Sequence, residues 1–169
     1  MRLTCTFLIL FYLGISLTSC SQSNRDKVTI PNTKTIEIDT SSIAVISFDQ
    51  QGNWPFDNSY KPISLTESEI FEIETLMKAC VLDYNKSLEE NLKESYSIDF
   101  KRYKYKRQYV AVLNNKGEKE IWVNAFCSTW DTRWKNEILL VHDGGNCYFN
   151  LKINLTTKKC FEIAVNGYA

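Results

Sequence analysis

His142 is the only histidine in the chain, and it stands five residues before Cys147 with Asp143 beside it. A tight turn at Gly144-Gly145 would set His142 opposite Cys147 across a hairpin, placing a base next to a nucleophile as a thiol hydrolase requires. The arrangement lacks a third member. On a strand Asp143 points to the other face, so no group orients the imidazole. A histidine beside a tight turn reads more simply as a solvent-edge residue, and catalysis by His142 and Cys147 is the alternative rather than the expectation. A single histidine and the absence of any Cys-x-x-Cys pair leave a zinc site unsupported. No phosphate loop, dinucleotide fingerprint, His-Glu-x-x-His or nucleophile elbow occurs. No metal or cofactor is expected, and the chain reads as a non-enzyme.

Residues suited to binding are better represented. The stretch "CSTWDTRWKNE" brings Trp130, Asp131, Arg133 and Trp134 together on the longest connection of the C-terminal half. Tryptophan and arginine are favoured at binding hot spots, so Trp130, Arg133 and Trp134 are candidate contact residues. Against this, large aromatics are mostly buried, and both rings folding back over the sheet end is the favoured reading. Trp54, in the irregular loop "GNWPFDNSYKP", is a further candidate. Lys101, Arg102, Lys104, Lys106 and Arg107 interleave with Tyr103 and Tyr105, a pattern that superficially suits single-stranded nucleic acid. Alternation along a strand gives a simpler account, with a tyrosine face and a charged face. Should the cluster bind anything, lipid phosphates or an acidic polysaccharide are the accessible candidates, and nucleic acid is not expected.

The 169 residues include 44% apolar and 13% aromatic side chains, enough for one domain with a sizeable core. Twenty basic residues balance twenty acidic ones, so no global field selects a partner. Met1-Arg2 precedes an almost wholly apolar run, Leu3 to Leu17, short for a membrane span but laid out as a secretory signal. The following Leu17-Thr18-Ser19-Cys20 resembles the lipobox of bacterial lipoproteins. That resemblance implies cleavage before Cys20, a diacylglycerol thioether on its sulfur and an acyl chain on the new amine. Several buried chains hold a protein stably where one does so only marginally. Residues 1–19 are thus expected to be a lipoprotein signal peptide and residues 20–29 a flexible polar tether. In lipoprotein sorting of the enteric type, an aspartate after the lipidated cysteine favours the inner membrane. Here Ser21 occupies that place, so the outer membrane is expected, with the exposed face left open. After loss of Cys5 and lipidation of Cys20, Cys80, Cys127, Cys147 and Cys160 remain, as buried thiols or as disulfides in any of three complete pairings.

These residues must be positioned by a body covering residues 30–169. "KTIEID" and "SIAVISF" have strand spacing. Thr66 and Glu69 form a capping box, with Leu65 and Ile70 placed as a hydrophobic staple. Behind them Ile70, Ile73, Met77, Cys80, Val81 and Tyr84 recur as one helical stripe. A polar helical stretch from Lys86 to Glu94 follows. Then "KRQYVAVL" and "EIWVNAF" flank a turn at Asn115-Lys116-Gly117, "EILLVHDGGNCYFNLKI" predicts a second hairpin, and "NLTTKK" predicts a turn into "CFEIAV". The expected fold is α+β, an antiparallel sheet of about five to six strands with one main helix packed on one face. Small cystatin-like one-helix sheets share this order, an architectural analogy that implies no activity. The C-terminal stretch "VHDGGNCYFNLKINLTTKKCFEIAVNGYA" resembles small uncharacterised lipoproteins of Gram-negative bacteria, with a Gly-Gly-Asn hairpin before an aromatic strand and a closing Asn-Gly-Tyr-Ala. The expectation is a lipid-anchored envelope lipoprotein, a non-catalytic binding or assembly module whose partner is an envelope protein or glycan.

Overall fold

A computed structural model of the chain describes residues 39–49 and 54–168. The expected signal peptide, Cys20, the tether and nearly all of "KTIEID" lie outside the described residues. The chain divides into two units, Met1–Ile36 and Glu37–Ala169, and the described structure belongs to the second.

Among the described residues the strands and α-helices are β1 (Ile43–Ile46), β2 (Lys61–Pro62), α1 (Glu67–Ser87), α2 (Glu90–Tyr96), β3 (Lys106–Leu113), β4 (Lys119–Phe126), β5 (Tyr148–Asn154) and β6 (Lys159–Val165). The strands form a six-stranded sheet in the order β1-β3-β4-β5-β6, with β2 also on the outer edge of β3. The fold is α+β with one main helix, as the pattern of elements implies. All pairings are antiparallel except β1 with β3, where Ile43 stands opposite Arg107 and Ile46 opposite Val110.

The capping box at the start of α1 is formed in full. Thr66 Oγ1 accepts from Glu69 N, and Glu69 Oε2 accepts from Thr66 N at 2.9 Å. Lys119, at the start of β4, donates to the other oxygen of Glu69. The helix then lays Ile73, Met77 and Val81 against Tyr109, Val123 and Leu151, the inward alternate positions of β3, β4 and β5. Each such side chain contributes about 1.5–3 kcal/mol when fully buried. The polar stretch does not continue α1 unbroken. It breaks at Leu88-Glu89 and resumes as α2, while Asn85 clamps both backbone groups of Ile98 at 2.8 and 2.9 Å, returning the chain to the sheet.

Under α1 lies one buried charge cluster. Glu74 accepts from the Tyr109 hydroxyl, and its Oε1 lies 2.6 Å from Arg107 Nε, a charge contact without an aligned hydrogen bond. Arg107 also donates to the Tyr105 carbonyl and to Ser42 Oγ. Arg107 therefore leaves the surface basic cluster in which its sequence neighbours remain. Burial and the Glu74 carboxylate together hold the Tyr109 hydroxyl well above its usual pKa.

Two hairpins are found as expected. Gly117 takes a φ of 77° in the β3–β4 turn, where Asn114 Oδ1 accepts from Lys116 N and Glu118 N. The β5–β6 turn runs through Leu155–Lys158. The hairpin expected at "EILLVHDGGNCYFNLKI" is not formed, because residues 137–141 are not a strand. The edge of β4 that they would occupy is taken by β5 itself, with Phe126 opposite Tyr148 and Glu120 opposite Asn154. The sheet face away from α1 is also covered. Phe48 and Phe56 pack on Val110, Val112 and Trp122, and Trp134 packs on Phe126 and Ala44.

Candidate functional site

The connection between β4 and β5, residues 127–147, is held at four places. Its neck is a disulfide between Cys127 and Cys147, whose Cα atoms are 5.0 Å apart, and Cys127 N donates to the Cys147 carbonyl at 2.9 Å. Its middle is held by Gln108, fully buried and opposite Asn124 in the β3–β4 ladder. Gln108 Nε2 donates to the carbonyls of Trp134 and Glu137, and its Oε1 accepts from Leu139 N at 2.9 Å and from Asn124 Nδ2 at 3.0 Å. Asn124 donates in addition to the Leu139 carbonyl at 2.7 Å. Two amide side chains thus do for this segment what a neighbouring strand would otherwise do. Buried backbone groups need such partners.

The third hold is Trp134, 6% exposed and edge-on to Phe126 with ring centroids 5.6 Å apart. The ammonium groups of Lys106 and Lys135 lie 5.0 and 5.6 Å from its ring centroid. The fourth is the C-terminal stretch. Asn166 Nδ2 donates to the carbonyls of Val141 and Asp143, and Gly145 N donates to the Gly167 carbonyl. Gly145 has a φ of 56°, and a Cβ there would run into the Tyr168 ring. The Tyr168 hydroxyl reaches Asn146 Oδ1 at 3.3 Å, while Asn146 Nδ2 donates to Ser97 and its carbonyl accepts from Tyr105. Gly-Gly-Asn and Asn-Gly-Tyr, widely separated in sequence, are one contact in the fold.

The tryptophans of the loop therefore part company. Trp134 is a buried anchor, whereas Trp130 is 91% exposed. Arg133 is exposed but occupied: it donates twice to the Asp131 carboxylate, at 3.2 and 3.0 Å, and its third nitrogen pairs with Glu137 at 3.1 Å. The hydrogen bond from Arg133 draws the Asp131 carboxyl below its ordinary pKa, and the same contact raises the guanidinium. Trp54 is half-exposed and edge-on to Trp122 at 4.7 Å. Trp54 and Trp134 thus sit on one sheet face, over β4 residues four apart, while Trp130 stands clear of the core.

His142 is exposed, and Cys147 is bonded to Cys127. A sulfur in a disulfide is not a thiolate, so the proposed pair has no nucleophile while that bond is closed. The segment that was to place the two across a hairpin is the loop just described. Cys80 of α1 pairs with Cys160 of β6, Cα atoms 6.1 Å apart, which settles one pairing among the three. Among the described residues no group of three His, Cys, Asp or Glu side chains is placed to hold a metal.

A hollow of about 470 Å³ lies between α1 and β6 beside the Cys80–Cys160 disulfide. Its charged rim residues already have partners: Asp83 with Lys86, Glu162 with Lys152, and Lys158 with Glu72. Sequence reasoning missed the residues that build the loop, above all Gln108, Asn124 and Asn166. The available signal was an amide at position 108, at the head of the apolar run Tyr109 to Leu113, and another at 124, inside the apolar run Ile121 to Phe126. Comparison with protein-family models, with curated proteins and with solved structures finds no match for this chain.

Proposed function

We propose that the protein is a lipid-anchored lipoprotein of the bacterial envelope, acting as a non-catalytic binding or assembly module through its β4–β5 loop. The observation that carries this reading is the cysteine pairing. Cys80, Cys127, Cys147 and Cys160 are all consumed in two disulfides, and such bonds persist in oxidising compartments outside the cytoplasm. Of the two cysteines left, Cys5 lies ahead of the expected cleavage point, so Cys20 of Leu17-Thr18-Ser19-Cys20 is the thiol available for lipid. The outer membrane is the proposed location, on the strength of Ser21.

Binding rather than catalysis is supported by what the loop presents. It is pinned before any partner arrives, which lowers the ordering cost of association, and it holds out Trp130, 91% exposed. A photo-crosslinking residue at position 130 in the native envelope tests this. A discrete adduct, lost when Cys20→Ala releases the protein from membranes, is the expected result. A membrane-bound protein with no adduct from position 130 would contradict the binding surface, and an unchanged membrane fraction for Cys20→Ala would contradict the anchor.

A further inference from the structure

The end of the domain that carries Trp130 is also the end at which the chain enters the fold, and it is basic. β1 runs parallel to β3 with Ile43 opposite Arg107, so Asp39 and the turn Thr40–Ser42 lie where β3 begins. β4 ends there too, with Phe126 opposite Lys106 and Trp134 on Phe126. Ala44 of β1 packs in the same cluster as Trp134. Lys104, Lys106 and Lys135 gather around this corner, Lys106 and Lys135 at the Trp134 ring and Lys104 near enough to Asp39 to act on its carboxylate.

Of the acids at this corner, Asp131 and Glu137 pair with Arg133, while Asp39 and Asp99 keep their charge and accept only from neutral donors, Ser41 N and Oγ and the backbone of Lys101 and Arg102. Among the described residues, Lys104, Lys106 and Lys135 have no ion pair, nor do Lys101 and Arg102 of the preceding turn. Five cations, Lys101, Arg102, Lys104, Lys106 and Lys135, thus stand against Asp39 and Asp99 in a chain of zero formal net charge, and the exposed Trp130 lies four residues before the Trp134 that two of them flank.

We infer that this corner, Lys104, Lys106 and Lys135 with Trp130, docks on the anionic phosphate headgroups of the bilayer that holds the anchor. The inference rests on the lipid-anchored reading and names the partner of the same loop. The occupant follows from the proposed anchor: residues 21–38 join Cys20 to Asp39, so a lipid on Cys20 keeps the domain within reach of the bilayer, and Asp39 lies at this corner. Charge complementarity selects anionic headgroups, and tryptophan is favoured at the boundary between headgroups and acyl chains. Each lysine near such a surface strengthens partition roughly five-fold, an effect that salt screens.

The test uses the mature protein extracted from membranes and reconstituted into vesicles of brominated phosphatidylglycerol or brominated phosphatidylcholine. Tryptophan quenching reads the depth of the rings. The expected result is quenching in phosphatidylglycerol that is largely absent in phosphatidylcholine, disappears in Trp130→Phe and is reversed by molar salt. The triple variant Lys104→Gln, Lys106→Gln, Lys135→Gln should weaken docking roughly a hundred-fold while still floating with the vesicles. Floating without quenching from position 130, or equal quenching in both lipids, overturns the inference and leaves the anchor standing. Quenching abolished by soluble polygalacturonate at constant ionic strength, with the polymer retained on the protein, would assign the corner to an acidic glycan instead. A protein that does not float has no anchor and overturns both readings.

Discussion

Replacing Gln108 by leucine, close to it in size, removes the four hydrogen bonds that hold the β4–β5 loop against the sheet. Gln108 is fully buried, and its partners are the carbonyls of Trp134 and Glu137, Leu139 N and the Asn124 amide. Each bond is worth about 1 kcal/mol net, and a buried group left without a partner costs about 1–3 kcal/mol. Were the loop to stay in place, the sum would exceed 4 kcal/mol. It can instead lift and hydrate residues 134–139, losing part of the burial of Trp134, Ile138 and Leu139. The loss therefore settles at about 3–5 kcal/mol, a large share of the roughly 5–15 kcal/mol that holds a domain together. Urea unfolding with both disulfides intact measures it. Hydrogen exchange at Leu139 tests the cause, because its amide bonds to the Gln108 side chain and should lose protection locally before global unfolding. Gln108→Glu should cost at least as much, since it sets an anionic oxygen against two carbonyls. A loss under about 1 kcal/mol with Leu139 still protected would refute the clamp.

Three other outcomes follow from the same geometry. Trp134→Ala should cost about 3–5 kcal/mol, whereas Trp130→Ala, at a site 91% exposed, should change urea stability by less than about 0.5 kcal/mol. The Glu69 carboxyl is held down to about 2, first by the hydrogen bond from Lys119 and then by the Thr66 backbone. Its contribution is fully present above its unfolded value near 4.5 and fades as pH falls toward 2, so acid lowers stability there. Solvent access at Lys119, 41% exposed, trims the contribution to about 1–2 kcal/mol. Urea midpoints from pH 5 to 2 should show that fade in the wild type and a shallower one in Glu69→Gln. Opening Cys127–Cys147, 20 residues apart, should remove at most about 3 kcal/mol, and opening Cys80–Cys160, 80 apart, about 4.5 kcal/mol. Paired serine variants measured by urea unfolding should rank in that order.

What was legible in the chain was local or periodic. Thr66 and Glu69 announce a helix start by their spacing, and the stripe through Ile73, Met77 and Val81 identifies its buried face. Gly117 marks a turn because its positive φ favours glycine. The misreading fell on residues 137–147, where apolar Ile138 to Val141 and a Gly-Gly pair imitate a strand and its turn. Nothing local tells a strand from a segment laid across a sheet by side-chain amides. The distinction lies in Gln108 and Asn124, far upstream in sequence. Gly145 also has a long-range reason: it admits the Tyr168 ring as well as turning the chain. Arg107 shows the same limit, since a basic run reads as surface until Glu74 of α1 arrives beside it. The candidate site was located by composition, but its division into a buried Trp134 and an exposed Trp130 depends on which ring meets Phe126.

In the proposed lipoprotein Cys20 carries lipid and the other mature cysteines are paired. The most direct test is the intact mass of the protein from its native membrane, alkylated with and without prior reduction. The expected mass is that of a chain beginning at Cys20 with added diacylglycerol and acyl groups, with no alkylated thiol before reduction and four after it. An unlipidated mass, or thiols alkylated without reduction, would contradict it.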